Sequence, residues 1–270
     1  MNKIKNFIPV SVIIPVSKDK KIFKCIESID VKTEIIVILN GKYDINIENE
    51  LRKITDIKIY KLKDFNFSKI YNFGIRQASY ENIFFMDSDC VFGKGTLIKL
   101  YNSLDNYSIT KGGVVFSYNN FIQKLIAKAR EFTTSDEPNL YIPGPMFKKE
   151  IFKKIGLFNE EIYFSSDAEM NARIKKEKIK WIYIPEAKII HAPLTIRQDF
   201  VSAFRYGWGR SQKHRVLHTT KTKSFIEEFY FYFIQGAQRK GLLVGIYLLF
   251  WLFCFNLGFF TEKIINKLKK

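Results

Sequence analysis

Cys25, Cys90 and Cys254 are the only 3 cysteines in 270 residues, and no two of them form a C-x-x-C pair. That excludes an evident zinc ribbon or disulfide framework and makes a reducing compartment the expectation. Acidic side chains are scarce as well: 27 Asp and Glu stand against 44 Lys and Arg, a formal charge of +17. Such an excess suits a polyanion, whether nucleic acid, an anionic bilayer or a phosphorylated substrate. No groove-fitting motif accompanies the charge, so nucleic acid is set aside. The first apolar run is not followed by a glycine-rich phosphate loop. Ser17-Lys18-Asp19-Lys20 stands there instead, which argues against a sugar nucleotidyltransferase. Internal repeats and low-complexity linkers are missing too. At the start, Pro9 and Pro15 break the apolar run and no small-residue cleavage site follows. We read it as a core strand of an unexported protein rather than a signal peptide.

What is present is a succession of short apolar runs in a chain that is 47% hydrophobic. Residues 10–16 (VSVIIPV) and 34–39 (EIIVIL) are β-branched runs bounded by turn residues, the mark of buried parallel strands. Between them, Ile22, Phe23, Ile26 and Ile29 share one helical face, so a right-handed βαβ unit is predicted. Residues 56–62 alternate as a strand, and 67–78 read as a helix with Ser68 near its start. Residues 83–86 (IFFM) form another buried strand that ends in Asp87-Ser88-Asp89. This order predicts an α/β fold: a mostly parallel central sheet with flanking helices, binding ligands beyond the carboxyl ends of its strands. Further on, 112–118 reads as a strand, 148–155 as a basic helix and 167–177 as another helix. Residues 181–184 read as a strand closed by Pro185.

After Thr195 the character changes. Residues 199–222 are polar and basic, with Arg205, Arg210, Lys213, Arg215 and Lys221, and Lys223 follows; residues 225–236 are crowded with aromatics. Residues 241–260 then carry no charged side chain over 20 positions, the length a helix needs to cross the hydrocarbon core. Arg239 and Lys240 precede this stretch and Lys263, Lys267, Lys269 and Lys270 follow it, so spanning and in-plane placements both stay open. The expected organisation is an α/β domain over 1–195, with halves meeting near residue 110. A membrane-proximal segment over 196–240 and a hydrophobic membrane helix with a basic tail over 241–270 complete it. An anionic membrane is the expected partner of the last two.

Asp87 and Asp89 flank one small residue directly after an apolar strand. Like charges this close repel, and a divalent cation bridging to phosphate oxygens relieves that repulsion. A solvated turn with Asx-type hydrogen bonds uses the same triplet. SVIIPV, EIIVILNG, FNFSKIYNFGIRQAS and ENIFFMDSDC, in this order, resemble the nucleotide-sugar half of an inverting family 2 glycosyltransferase of the GT-A fold. The resemblance implies that Pro15 and Val16 shape the nucleotide pocket. It implies that Asn40, where the family usually has Asp, makes a neutral hydrogen bond to the base, and that Asn72 of the N-x-G contacts the donor. Asp87 and Asp89 become the D-x-D that holds Mg²⁺ or Mn²⁺ on a UDP-, GDP- or dTDP-sugar.

GPMFKKEIFKKIGLFNEE resembles the family's acceptor-lining stretch. SSDAEMNARIKKEKIKWIYIPEAKIIHAPL resembles its E-D-x-D-x-x-x-R…P…H signature, with Asp167, Glu169, Arg173, Pro185 and His191 in register. Ser166 and Glu169 depart from that pattern. The implied roles are Asp167 as catalytic base with Glu169 beside it, and His191 at the metal or the diphosphate. The implied acceptor is a saccharide or a lipid-linked one, and the implied setting is the cytoplasmic face of a bacterial membrane. Ordinary explanations stand beside each role: a helix N-cap for Asp167, the helix dipole for Glu169, and an i,i+4 pair for Glu169 with Arg173. Asn40 and Ser166 also fit a membrane-tethered binding module on a decayed transferase fold.

Overall fold

A computed structural model describes residues 6–136, 138–218 and 224–268. The chain divides into two compact units that do not follow chain order. Met1–Val115, Asn139–Glu160 and Asp167–His191 make the first; Phe116–Pro138, Glu161–Ser166 and Ala192–Lys270 make the second.

The first unit opens with β1 (Phe7–Val16), α1 (Ile22–Glu27), β2 (Lys32–Asn40), α2 (Ile45–Leu51), β3 (Ile57–Leu62) and α3 (Phe67–Gln77). It continues with β4 (Asn82–Phe85), β5 (Cys90–Phe92), α4 (Thr96–Asn102) and β6 (Ile109–Phe116). After α5 (Phe121–Thr134), which belongs to the second unit, come β7 (Pro145–Lys148), α6 (Glu150–Ile155), α7 (Ser166–Lys176) and β8 (Ile182–His191). The strands form one sheet in the order β3-β2-β1-β4-β7-β6-β8-β5. β1 to β4 pair in parallel, as the apolar runs predict. The other half is antiparallel: β7 against both β4 and β6, and β5 against β8. The sheet is therefore mixed.

Helices cover both faces of the parallel half. Val12, Ile14, Val37 and Leu39 pack with Ile22, Ile47 and Leu97 in one buried cluster, and Ile13, Ile36 and Ile38 with Ile70, Phe152 and Met170 in the other. Strands buried on both faces read as continuous apolar runs rather than as an alternation. Local details depart from expectation for local reasons. Asn66 rather than Ser68 caps α3, its side-chain oxygen accepting from the N–H of Ser68 and Lys69. Lys148 ends a strand instead of starting a helix, which begins at Glu150. β8 runs straight through Pro185, because β5 pairs only with Ile189 to His191 and asks for no N–H at the proline.

In the second unit, α8 (Ile196–Val216) starts at a Thr195–Gln198 capping box. α9 (Phe225–Phe229), a π-helical turn (Tyr230–Gln235), α10 (Gly236–Lys240) and α11 (Leu242–Leu268) follow. Lys221 and Lys223 lie outside the described residues. Ala203, Tyr247, Leu248, Trp251 and Phe132 form the core of this unit. α8 and α11 meet backbone to backbone at two glycines. A Cβ at Gly207 would stand 1.7 Å from the Phe255 carbonyl oxygen, and one at Gly258 1.9 Å from that of Phe204. α11 is, among the described residues, the helix long and apolar enough to cross a membrane.

Glu34 of β2 ties the parallel strands together. It accepts from the Ser11 hydroxyl of β1, the Ser79 N–H at 2.9 Å and the Lys58 ammonium of β3 at 2.6 Å. Burial alone would raise its carboxyl, but these hydrogen bonds outweigh burial and hold it below the ordinary value. A depressed carboxyl contributes stability that is full above the ordinary carboxylate range and is lost as pH falls through the folded-state value. Glu34→Gln is expected to cost about 1–3 kcal/mol at neutral pH. Thermal melts recorded against pH should show the variant and the parent converging in acid.

Candidate active site

The carboxyl ends of the parallel strands form the floor. Pro15 and Val16 close β1 opposite Ile38 and Leu39, and Asn40 closes β2 opposite Leu62. All three are buried or nearly so. The chain then turns at Gly41, where φ is +61° and a Cβ would sit 2.2 Å from the Phe65 ring. Only glycine combines that backbone with that neighbour.

β4 delivers the two acidic residues. The Met86 N–H still donates to Ile13 O at 3.0 Å, after which the Cys90 N–H closes on Asp87 O at 3.2 Å. Asp87-Ser88-Asp89 is thus a tight turn between β4 and β5. Cys90 of β5 pairs with His191 of β8. This pairing sets His191 Nε2 at 3.6 Å from Asp89 Oδ2. One ligand atom each from Asp89, Cys90 and His191 lies within 4.8 Å of the others. Burial, then the charges of Asp87 and Asp89, pushes the Cys90 thiol well above its usual range. Asp89 oxygen and His191 nitrogen are a donor pair that fits a hard or borderline divalent cation. Asp87 lies outside this cluster.

Asp87 also senses the charges of Asp167 and Lys111. Lys111, on β6, is 4% exposed. Its ammonium donates to Tyr141 O at 2.7 Å and to Pro143 O. From the same loop the Ile142 N–H donates to Asp167 Oδ2 at 3.0 Å, while Asp167 Oδ1 accepts from the Ala168 N–H at 2.8 Å. The Gly144 N–H donates to Phe85 O at 3.1 Å, which fastens the loop to the end of β4. Burial, reinforced by the charges of Asp89 and Asp167, raises Asp87 to about 7, with Lys111 opposing. Burial lowers Lys111 to about 7, with Asp167 and Asp87 opposing. Burial also raises Asp167, against its backbone N–H donors and Lys111.

Two expected site residues are engaged elsewhere. α7 begins at Ser166, so Asp167 lies within its first turn rather than at the cap. Glu169 binds Arg173 through two hydrogen bonds of 2.7 and 2.8 Å. Arg173 in turn donates to the carbonyls of Ile155, Gly156 and Leu157, so the i,i+4 pair expected of Glu169 is present and clamps that loop. The Asn72 amide donates to Phe158 O and Glu160 Oε1, both at 2.9 Å, and accepts from the Phe158 N–H at 3.0 Å. Asn72 thereby anchors the 158–160 segment. Lys111 escaped the sequence reading. Its signal was a single charge inside the apolar strand ITKGGVVF, where an unpaired cation is too costly to be incidental.

The family model for glycosyl transferase family 2 matches residues 11–158. No curated protein matches the chain. Among solved structures the fold is similar to a crystal structure of GalNAc-T7 with UDP, GalNAc and Mn²⁺. The TM-score is 0.57 and the identity 13%, over 69% of this chain and 43% of that one. The chain thus spans less than half the length of that relative.

Replacing Lys111 tests its structural part. Lys111→Met leaves the Tyr141 and Pro143 carbonyls without their donor, an expected cost of about 1–3 kcal/mol. Hydrogen exchange should show the Ile142 amide losing protection while the amides of β1 keep theirs.

Proposed function

The chain belongs to glycosyl transferase family 2, and from that membership we propose that it moves a sugar from a nucleotide-diphosphate donor to a hydroxyl acceptor by one inverting displacement. The observation that carries this reading is the grouping around Asp87: Asp89 with His191 toward one neighbour, Asp167 with Lys111 toward the other. In it, Pro15, Val16 and Asn40 receive the nucleotide, and the Asn40 amide offers both a donor and an acceptor to the base. Asp89 and His191, with Asp87 beside them, would hold Mg²⁺ or Mn²⁺. When bound, such a cation offsets the charge that develops on the departing diphosphate.

Asp167 takes the proton from the acceptor hydroxyl as it attacks the face opposite the diphosphate. Burial makes its carboxylate a stronger base than an exposed one, and two backbone N–H groups fix its direction. The charge of Lys111 opposes the burial that raises Asp87 and Asp167 and so favours the ionised form of each. The donor is a UDP-, GDP- or dTDP-sugar; the UDP and Mn²⁺ in the GalNAc-T7 structure make that pair the first to try. The acceptor is a saccharide, lipid-linked or at the cell surface. The second unit meets an anionic membrane on its cytoplasmic side, where nucleotide sugars are supplied.

Purified full-length chain is expected to release nucleoside diphosphate from one of the three donor types with Mn²⁺ or Mg²⁺, and to stop with chelator. Silence with all three would favour a non-catalytic binding module. Asp89→Ala should abolish metal-dependent release without lowering the melting temperature; near-normal turnover under chelation would remove the metal role. Asp167→Asn keeps the size and an accepting oxygen but takes no proton. It should lower kcat about 100- to 10,000-fold, whereas a loss under about tenfold would leave Asp167 a purely structural ligand of Ile142.

A further inference from the structure

Of the large apolar side chains exposed among the described residues, all but Phe7, Ile45, Phe65 and Val115 belong to the second unit. Half of those in the second unit line one face of α11. Leu243, Ile246, Phe250, Phe253, Leu257 and Phe260 are exposed and recur every three or four residues, so they form one stripe along the helix. No charged residue interrupts it between Gly241 and Phe260, while exposed Lys263 and Lys267 flank its far end.

The opposite face of α11 carries polar partners along most of its length. The Tyr247 hydroxyl donates to Asp199, which pairs with Arg130. The Asn256 amide donates at 3.3 Å to Glu228, which pairs with Arg210. Glu262 pairs with Arg215. From Tyr247 to Glu262 is about 22 Å of helix at 1.5 Å per residue. α8, packed against α11, brings Arg197, Arg205 and Lys213 besides. Were α11 to cross a bilayer, the Arg210–Glu228 pair would stand near the middle of its hydrocarbon, where ionised groups are most costly. No other helix among the described residues qualifies as a span to accompany it.

We infer that α11 lies in the plane of one leaflet of an anionic membrane, its Leu243–Phe260 stripe sunk among the acyl chains and its ion-paired face held above them by α8. Burial of about 5–10 Å suits such a helix, and lysines at its edge suit anionic headgroups. The three-four spacing would also admit a second helix, as in a coiled coil. Coiled coils in water place charges beside the apolar seam, and here none stands there for 20 residues. A lipid surface asks for no such flank. Both ends of α11 then lie on the same side of the membrane. The inference rests on the membrane half of the function proposed above and not on its chemistry.

The test uses the full chain in phosphatidylcholine–phosphatidylglycerol vesicles. An environment-sensitive dye is attached at Ile246→Cys, Phe253→Cys or Phe260→Cys in a Cys254→Ser background, Cys25 and Cys90 being buried. Depth is read from quenching by nitroxide lipids labelled near the headgroup or at the acyl terminus. The expected result is one shallow depth at all three positions, within about 5 Å of each other. A graded depth covering about 21 Å from the first to the last would mean a crossing helix and would overturn the in-plane placement while sparing membrane attachment. Absence of quenching at every position would mean that protein or a second copy covers the stripe, and both would fall. Donor release by the same labelled chains reads the transfer chemistry independently.

Discussion

Two carboxyls and one ammonium, Asp87, Asp167 and Lys111, share a pocket in which each is costly alone. The remaining geometry of the site follows from that constraint. Lys111 satisfies it by holding the carbonyls of Tyr141 and Pro143, and the loop so held presents the Ile142 N–H to Asp167 and the Gly144 N–H to β4. The acidic turn and Asp167 are thereby parts of one hydrogen-bonded frame. Charge compensation and positioning are the same interaction seen from two ends.

A second frame supports the first from behind. Asn66 and Asn72 of the α3 region hold the 158–160 segment, and the Glu169–Arg173 pair holds the 155–157 segment next to it. Both devices end on backbone carbonyls, which repositions loops without asking for new apolar contacts. A family signature therefore mixes residues that touch reactants with residues that fix the loops around them.

Legibility in the sequence tracked burial. The parallel half was readable because strands covered on both faces leave continuous runs, as in VSVIIPV and EIIVIL. Of the antiparallel half only β6 and part of β8 were readable: β5 and β7 are three and four residues long, too short for any period to show. That loss hid the contact between Asp89 and His191, which forms only through the β5–β8 ladder. Asp87, Asp89, Asp167 and His191 could be placed in register from motifs, but register does not name a partner. Asn72 and Glu169 were in register too, and turned out to bind Phe158 and Arg173. The composition of α11 is the same whether it crosses a bilayer or rests in it; its neighbours along α8 make the difference.

The chain passes between its two units four times before the first is complete. During synthesis the strand carrying the acidic turn is made about 100 residues before His191, an interval of about 5–20 s at ribosomal speed. β4 meanwhile has β1 on one side and nothing on the other, because its second neighbour β7 begins only at Pro145. A nascent sheet with an unpaired apolar edge invites pairing with other chains. Completion of the antiparallel half therefore assembles the site and, in the same step, shuts the edge through which the unfinished protein would aggregate.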